Sequence, residues 1–94
     1  MTDDQSLGDA IRKFLSTYHL DDRMKENKLI QSWEKVAGKV VARHTTRLYI
    51  RNKILFIRLD SAALKNEIFY MREKIVISLN KEAGAEVIKE IVVQ

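Results

Sequence analysis

A change of hydrophobic period at residue 45 constrains the fold more than any other feature of this sequence. Apolar residues recur every three to four positions before residue 42 and again between Leu64 and Leu79. Between Thr45 and Asp60 they alternate with polar residues instead. A period near 3.6 indicates a helix that buries one stripe, and a period of two indicates a strand that buries one face. The chain must therefore combine helices with a short sheet.

The helices can be bounded by their capping residues. Helices are expected from about 6 to 18 and from about 22 to 42. A third helix is expected to begin after Ser61, an N-cap residue, and to end near Gly84, a C-cap residue. Gly38 lies inside the second expected helix and indicates either close packing or a bend.

The strands are expected over 45–51, 54–60 and 86–94. Asn52-Lys53 would form a two-residue hairpin turn between the first two strands. The element order is then α-α-β-β-α-β. For a small α+β domain this order predicts two layers, with the helices packed on one face of a three-stranded sheet.

Length and composition favour a single domain. The 94 residues are 46% hydrophobic and include neither cysteine nor proline, so we expect one domain over 1–94, with residues 1–5 disordered. No apolar run is long enough to cross a membrane, and the first ten residues lack the apolar centre of a signal peptide. We therefore expect a cytoplasmic protein without a membrane partner.

Residues that would carry catalysis are sparse. The two histidines, His19 and His44, lie 25 positions apart and have no metal-ligand motif around them. The three glycines form no phosphate-binding loop, and Ser61 lacks the surroundings of a nucleophile. The sequence predicts a binding protein that is not an enzyme and uses no cofactor, metal or small-molecule substrate. His44 is read as a surface residue near the start of a strand, and Trp33 as a core residue.

Positive charge is concentrated in one window. Residues 39–58 contain six lysines and arginines and no acid. In the hairpin, Thr46, Leu48 and Ile50 alternate with basic and aromatic residues, and the second strand alternates likewise. If the aliphatic residues face the helices, two aromatic residues lie among the cations on the outer face. The candidate nucleic-acid-binding residues of this window are Lys39, Arg43, Arg47, Tyr49, Arg51, Lys53, Phe56 and Arg58.

Three interpretations of this face remain open. Exposed aromatic rings stack on bases while cations contact phosphates, which would make it a nucleic-acid surface. Alternatively, Tyr49 and Phe56 pair across the strands while the arginines keep the face soluble. A partner protein or a second copy of the chain would also cover such a face.

The segment 33–68 resembles the bacterial DciA-like family. The resemblance rests on Trp33, Gly38, His44-Thr45, the hairpin 47–59 and a helix led by Ser61, and it extends from about residue 10 to the end. It implies a KH-like domain that assists loading or operation of the replicative DNA helicase and binds single-stranded or structured DNA. The Gly-x-x-Gly loop of ordinary KH domains is absent, so another surface must bind the nucleic acid. A protein-interaction adaptor using the hairpin face or the first helix, and an RNA- or ribosome-associated module, are the alternatives.

Overall fold

The computed structural model describes residues 2–17 and 20–94, with no description of the side chains of 2–6, 15 and 16. Tyr18, expected to end the first helix, and His19 lie outside these residues. The elements in chain order are α1 Thr2–Thr17, α2 Leu20–Gln31, α3 Trp33–Ala37, α4 Lys39–Arg43, β1 Thr45–Arg51, β2 Ile54–Leu59, α5 Ala62–Ala83 and β3 Glu90–Val93. The α+β class and the element order are confirmed. Helix α1 begins at Thr2, so it includes residues 2–5, which were expected to be disordered.

The second expected helix is divided into three. At Ser32 the hydroxyl donates to the carbonyl of Leu29 at 2.7 Å, and the helix ends there. At Gly38 the backbone adopts φ 95°, a value that residues with a side chain rarely adopt. A Cβ added at Gly38 would meet no atom within 4 Å. Gly38 therefore marks a bend and not a close contact, and the expectation of one helix over 22–42 was wrong.

The sheet has the order β1-β2-β3, with β2 in the centre. Strands β1 and β2 pair antiparallel, and β2 and β3 pair parallel. Helix α5 makes the crossover that a parallel pair requires. The hairpin turn is confirmed, with φ 52° at Asn52 and 64° at Lys53, the two positive values typical of a type I′ turn.

The core lies between the sheet and the helices. Its central members on β2 are Leu55, Ile57 and Leu59, which are at most 3% exposed. They pack in one cluster with buried residues of the helices and of the last segment, which are Leu29, Trp33, Val41, Ile68, Ile75, Leu79, Ala83, Ile88 and Ile91. The core assignment of Trp33 is confirmed. Its indole Nε1 donates to the hydroxyl of Thr45 at 3.0 Å, and that hydroxyl donates to the carbonyl of Val41 at 2.7 Å.

Helix α1 gives the protein an elongated shape. The principal extents are 56 × 20 × 20 Å and the radius of gyration is 16.1 Å, against about 12 Å for a compact chain of this length. Helix α1 packs mainly on α2. Leu7, Ile11 and Phe14, which share one stripe, are more than half exposed. The first helix thus carries an apolar stripe outside the core.

Asn80 fixes the connection from α5 to β3. Its Oδ1 accepts from the backbone amides of Val87 and Ile88 at 3.0 Å each, and its Nδ2 donates to the Ile88 carbonyl at 2.8 Å. Gly84, at φ 76°, ends α5 as expected. Between them they turn the chain so that Ile88 is fully buried and β3 meets β2.

Replacing Asn80 should therefore loosen the third strand. We expect Asn80→Ala to lower the free energy of unfolding by about 2–3 kcal/mol, because three half-buried backbone groups lose their partner. Urea denaturation followed by circular dichroism measures this. Asn66→Ala, at an exposed position of the same helix, is the control and should change stability by less than about 0.5 kcal/mol. Equal effects of the two substitutions would contradict the role of Asn80.

The turn residue Lys53 offers a second test. Lysine at φ 64° is disfavoured by about 1 kcal/mol, so Lys53→Gly should raise the free energy of unfolding by about 0.5–1 kcal/mol. Asn52→Gly should gain less, since asparagine tolerates positive φ. Denaturant midpoints of both variants against the wild type give the comparison, and a loss of stability in Lys53→Gly would refute the expectation.

Candidate nucleic-acid interface

The pleat of β1 and β2 places five of the candidate residues on the sheet face away from the helices. Opposite them, Leu48 and Ile50 pack against the core, and the inner residues of β2 are buried. The inner-face assignment is therefore confirmed, and the outer face carries Arg47, Tyr49, Arg51, Phe56 and Arg58.

Strand β3 adds two residues to this outer face that the sequence reading did not place there. Glu90 is the partner of Ile54 in the register, and Val92 is the partner of Phe56. The basic face therefore has an acid at its turn end. Beside Phe56 it has the aliphatic side chain of Val92.

The two aromatic residues form a stacked cross-strand pair. Tyr49 and Phe56 lie directly opposite in the register, with ring centroids 4.9 Å apart and ring planes at 11°. Both are half-buried. The guanidinium of Arg47 lies over the Tyr49 ring, 4.8 Å from its centroid. The cross-strand pairing raised as an alternative is thus present. Each ring turns one face to the other, which reduces the area left for a base.

Arg47 and Arg58 are also directly opposite in the register, at the end of the hairpin away from the turn. Like charges facing each other across strands are destabilising. Neither arginine, nor Arg51, has an ion-pair partner among the side chains described. The three arginines of this face are therefore not ion-paired within the described part of the protein.

A β-bulge beside this pair changes the alternation that the sequence predicts. The register shifts between Thr45 and Arg47. Thr46 is consequently exposed, and its hydroxyl donates to the Arg58 carbonyl at 3.3 Å. Thr45 instead contacts Trp33 in the helical layer. The alternation of Thr46 with Leu48 and Ile50 in the sequence therefore does not place Thr46 on the inner face.

The other candidate residues lie apart from this cluster. Lys39 and Arg43, on α4, line a shallow cleft with Glu34 and Ala42. Lys53, at the hairpin tip, lines a groove of mixed charge, with the acids Asp22, Glu26 and Glu86 and the base Lys25. The structure thus separates the basic window into an outer-face cluster, a hairpin tip and the α4 cleft.

Lys65 is a basic residue that the sequence reading missed. With Thr46, Arg47, Arg58, Leu59 and Asp60 it lines a cleft of about 500 Å³ at the bulged end of the hairpin. The available signal was the short connection from β2 to the N-cap Ser61, which puts the first turn of α5 beside the end of β2. That Ser61 caps α5 is confirmed, since its Oγ accepts from the amide of Leu64 at 3.3 Å.

His44 joins the end of α4 to the end of β2. Its Nδ1 lies 2.7 Å from Oδ1 of Asp60, and the Asp60 amide donates to the His44 carbonyl at 3.1 Å. Both side chains are about half exposed. Around His44 and throughout the described residues, no three potential ligands are grouped to hold a metal ion. His44 is thus a surface residue at the start of β1 whose contacts with Asp60 connect it to the end of β2.

Comparison with known proteins decides the family. A sequence model of the family described as "Dna[CI] antecedent, DciA" matches residues 6–93. The chain belongs to the DciA family. A curated relative in Corynebacterium glutamicum (strain R), named "UPF0232 protein", is 26% identical over 87 residues, which are 93% of this chain and 49% of the relative. This DciA-family chain thus spans about half the length of that relative. No solved structure matches the present chain.

The DciA family is a non-catalytic accessory family linked to the replicative helicase. In the part of the chain that the structure describes, no helix is both long enough and apolar enough to span a membrane.

The Arg47–Arg58 pair makes a prediction about the unliganded protein. We expect Arg58→Glu to raise the free energy of unfolding by about 0.5–1 kcal/mol, because a repulsive cross-strand pair becomes an attractive one. Arg51→Glu is the matched control, since Arg51 faces Ile54 and its replacement relieves no like-charge pair. Thermal denaturation at low salt compares the two. If Arg58→Glu is no more stable than Arg51→Glu, the arginines do not repel one another appreciably.

Proposed function

We propose that this DciA-family domain is a non-enzymatic nucleic-acid-binding accessory protein that assists loading or operation of the replicative DNA helicase. The observation that carries the proposal is the outer hairpin face, where Arg47, Arg51 and Arg58 have no carboxylate partner among the described side chains. Two lysines elsewhere do have such partners. Lys35 pairs with Glu82 at 2.8 Å and Lys25 with Asp21 at 3.2 Å.

Unpaired cations suit a polyanion for a thermodynamic reason. Each phosphate that they neutralise releases condensed counterions, which favours binding at low salt. In this proposal the partner is single-stranded or structured DNA. The three outer-face arginines contact phosphates, and Lys53 at the tip and Lys39 with Arg43 on α4 extend the track.

The aromatic pair has a more limited role in this proposal than free rings would have. A free aromatic face contributes about 1–3 kcal/mol per stacked base. Since Tyr49 and Phe56 already stack on each other, they offer a base mainly their outer edges and an apolar floor. Affinity then depends chiefly on the cations and should fall steeply with salt.

A role at the replicative helicase also requires a surface for protein, and helix α1 supports this second candidate function. Its stripe of Leu7, Ile11 and Phe14, at 63%, 52% and 55% exposure, lies outside the core. An amphipathic helix commonly docks by such a stripe in a groove of its partner. In this second candidate function the protein is a cytoplasmic protein-interaction adaptor that docks through α1.

Titration of labelled single-stranded DNA at 50 and 200 mM salt tests the nucleic-acid proposal. With about four to six phosphate contacts, affinity should fall about 50- to 300-fold between the two salt concentrations. The triple variant R47Q/R51Q/R58Q removes three of these contacts, so it should lose most of the binding and about one half to three quarters of the salt slope. A control variant, R23Q/K74Q/K81Q, removes three exposed cations elsewhere and should bind like the wild type.

Two results would count against the proposal. Absence of detectable wild-type binding at 50 mM salt would reject nucleic-acid binding, and equal losses in both triple variants would reject the hairpin face as the site.

The adaptor function has its own readout. L7S/I11S should abolish co-purification with the replicative helicase and leave DNA affinity unchanged, whereas retention of the helicase by this variant would reject α1 as the docking surface. Tighter binding of RNA than of DNA would favour the RNA-associated module.

A further inference from the structure

We propose that the cleft at the bulged end of the hairpin is a phosphate clamp, in which Arg47, Arg58 and Lys65 hold one backbone phosphate of the bound nucleic acid. This inference rests on the proposed function and deepens it. It assigns Lys65 and the amino end of α5 to the site, and it fixes where the strand is held most firmly.

Three structural elements meet at this cleft. Strand β1 contributes Thr46 and Arg47, strand β2 contributes Arg58, and the first turn of α5 contributes Lys65. At about 500 Å³ the cleft is larger than a phosphate group, so an anion can enter with its attached sugar. The bulge at Thr46 bends β1 beside Arg47, and such bends often direct a side chain toward a site.

The charge in the cleft is strongly one-sided. Three cations face a single carboxylate, that of Asp60, and Oδ1 of this carboxylate lies 2.7 Å from His44. Neither Lys65 nor the two arginines forms an ion pair within the described part of the molecule. An anion placed between Arg47 and Arg58 turns their mutual repulsion into two attractions.

The amino end of α5 adds to this preference. The helix has 22 residues and carries no acid in its first turn, so the one carboxylate near its positive end in this cleft is that of Asp60. Ser61 accepts from the Leu64 amide. Ala62 and Ala63, which precede Leu64, are exposed and have small side chains, and the first amides of a helix have no acceptor within the helix. A phosphate held by Lys65 lies at this end of the helix.

The neighbouring rung of the hairpin explains why the phosphate would belong to a nucleic acid. Tyr49 and Phe56 follow Arg47 and Arg58 along the strands by one same-face step, about 7 Å. A nucleotide whose phosphate occupies the clamp has its sugar and base beside this apolar rung. A free phosphate or a lipid headgroup has no base to place against Tyr49 and Phe56.

Lys65→Gln is the central test, with Lys74→Gln as the matched control at an exposed position of the same helix. In single-stranded DNA titrations, Lys65→Gln should reduce the slope of log affinity against log salt by about 0.7 and weaken binding several-fold at 100 mM salt. Lys74→Gln should match the wild type, and Lys65→Arg should restore the slope. If Lys65→Gln binds with the wild-type slope, the clamp is refuted while the proposed function stands.

A second measurement separates failure of the clamp from failure of the proposed function. Inorganic phosphate, followed through the backbone amide signals of Ala62, Ala63 and Lys65, should give saturable shifts in the wild type that Lys65→Gln loses. If these shifts occur but wild-type protein binds no DNA, the clamp survives as a phosphate site and the nucleic-acid function fails. If phosphate produces only weak shifts spread evenly over the surface, the clamp is refuted. Thermal melts of each variant verify that it is folded.

Discussion

The packing of the inner face of β2 against α5 is the contact on which the rest of this structure depends. Strand β2 is the central strand, and its Leu55, Ile57 and Leu59 are at most 3% exposed. Full burial of three such side chains stabilises the fold by about 5–8 kcal/mol before the cost of ordering the chain. Because successive residues of a strand point to opposite faces, the same packing turns Phe56 and Arg58 outward. The basic outer face is therefore a geometric consequence of the core, whatever it binds.

Residues whose local environment decides their role could be predicted from the sequence. The alternation in β1 and β2, the cap at Ser61 and the positive-φ residues of the turn each depend on a few neighbouring positions, so the hairpin, α5 and the two-layer arrangement followed. Features that depend on tertiary contacts did not follow. The break at Ser32 interrupts an apolar period that continues through it, and the bulge at Thr46 becomes evident only once Thr45 is seen to contact Trp33.

The candidate site was predictable to a similar degree. Pleat geometry alone placed five residues on one face, but the mutual stacking of Tyr49 and Phe56 depends on side-chain rotamers that no pattern encodes. The position of Lys65 beside Arg47 and Arg58 was not predictable from the charge pattern, because Lys65 belongs to another element and lies outside the basic window. Arg43 and Lys39 were grouped with the hairpin by sequence distance, whereas the short helix α4 carries them to a different cleft. Proximity in the chain thus did not reveal that the basic window divides between separate clefts, or that Lys65 lies beside one of them.

Two local departures from stable design lie on this hairpin, and both involve cations. Arginines face each other at one end, and a lysine occupies a positive-φ position at the other. Each is unfavourable by a few tenths to about 1 kcal/mol in a domain small enough for that to matter. Buried hydrophobic contacts cannot account for either choice, since all three side chains are exposed. Local rules are most often broken where a protein binds something. A ligand that supplies negative charge along the hairpin would relieve the repulsion between the arginines and would give Lys53 a function that glycine lacks.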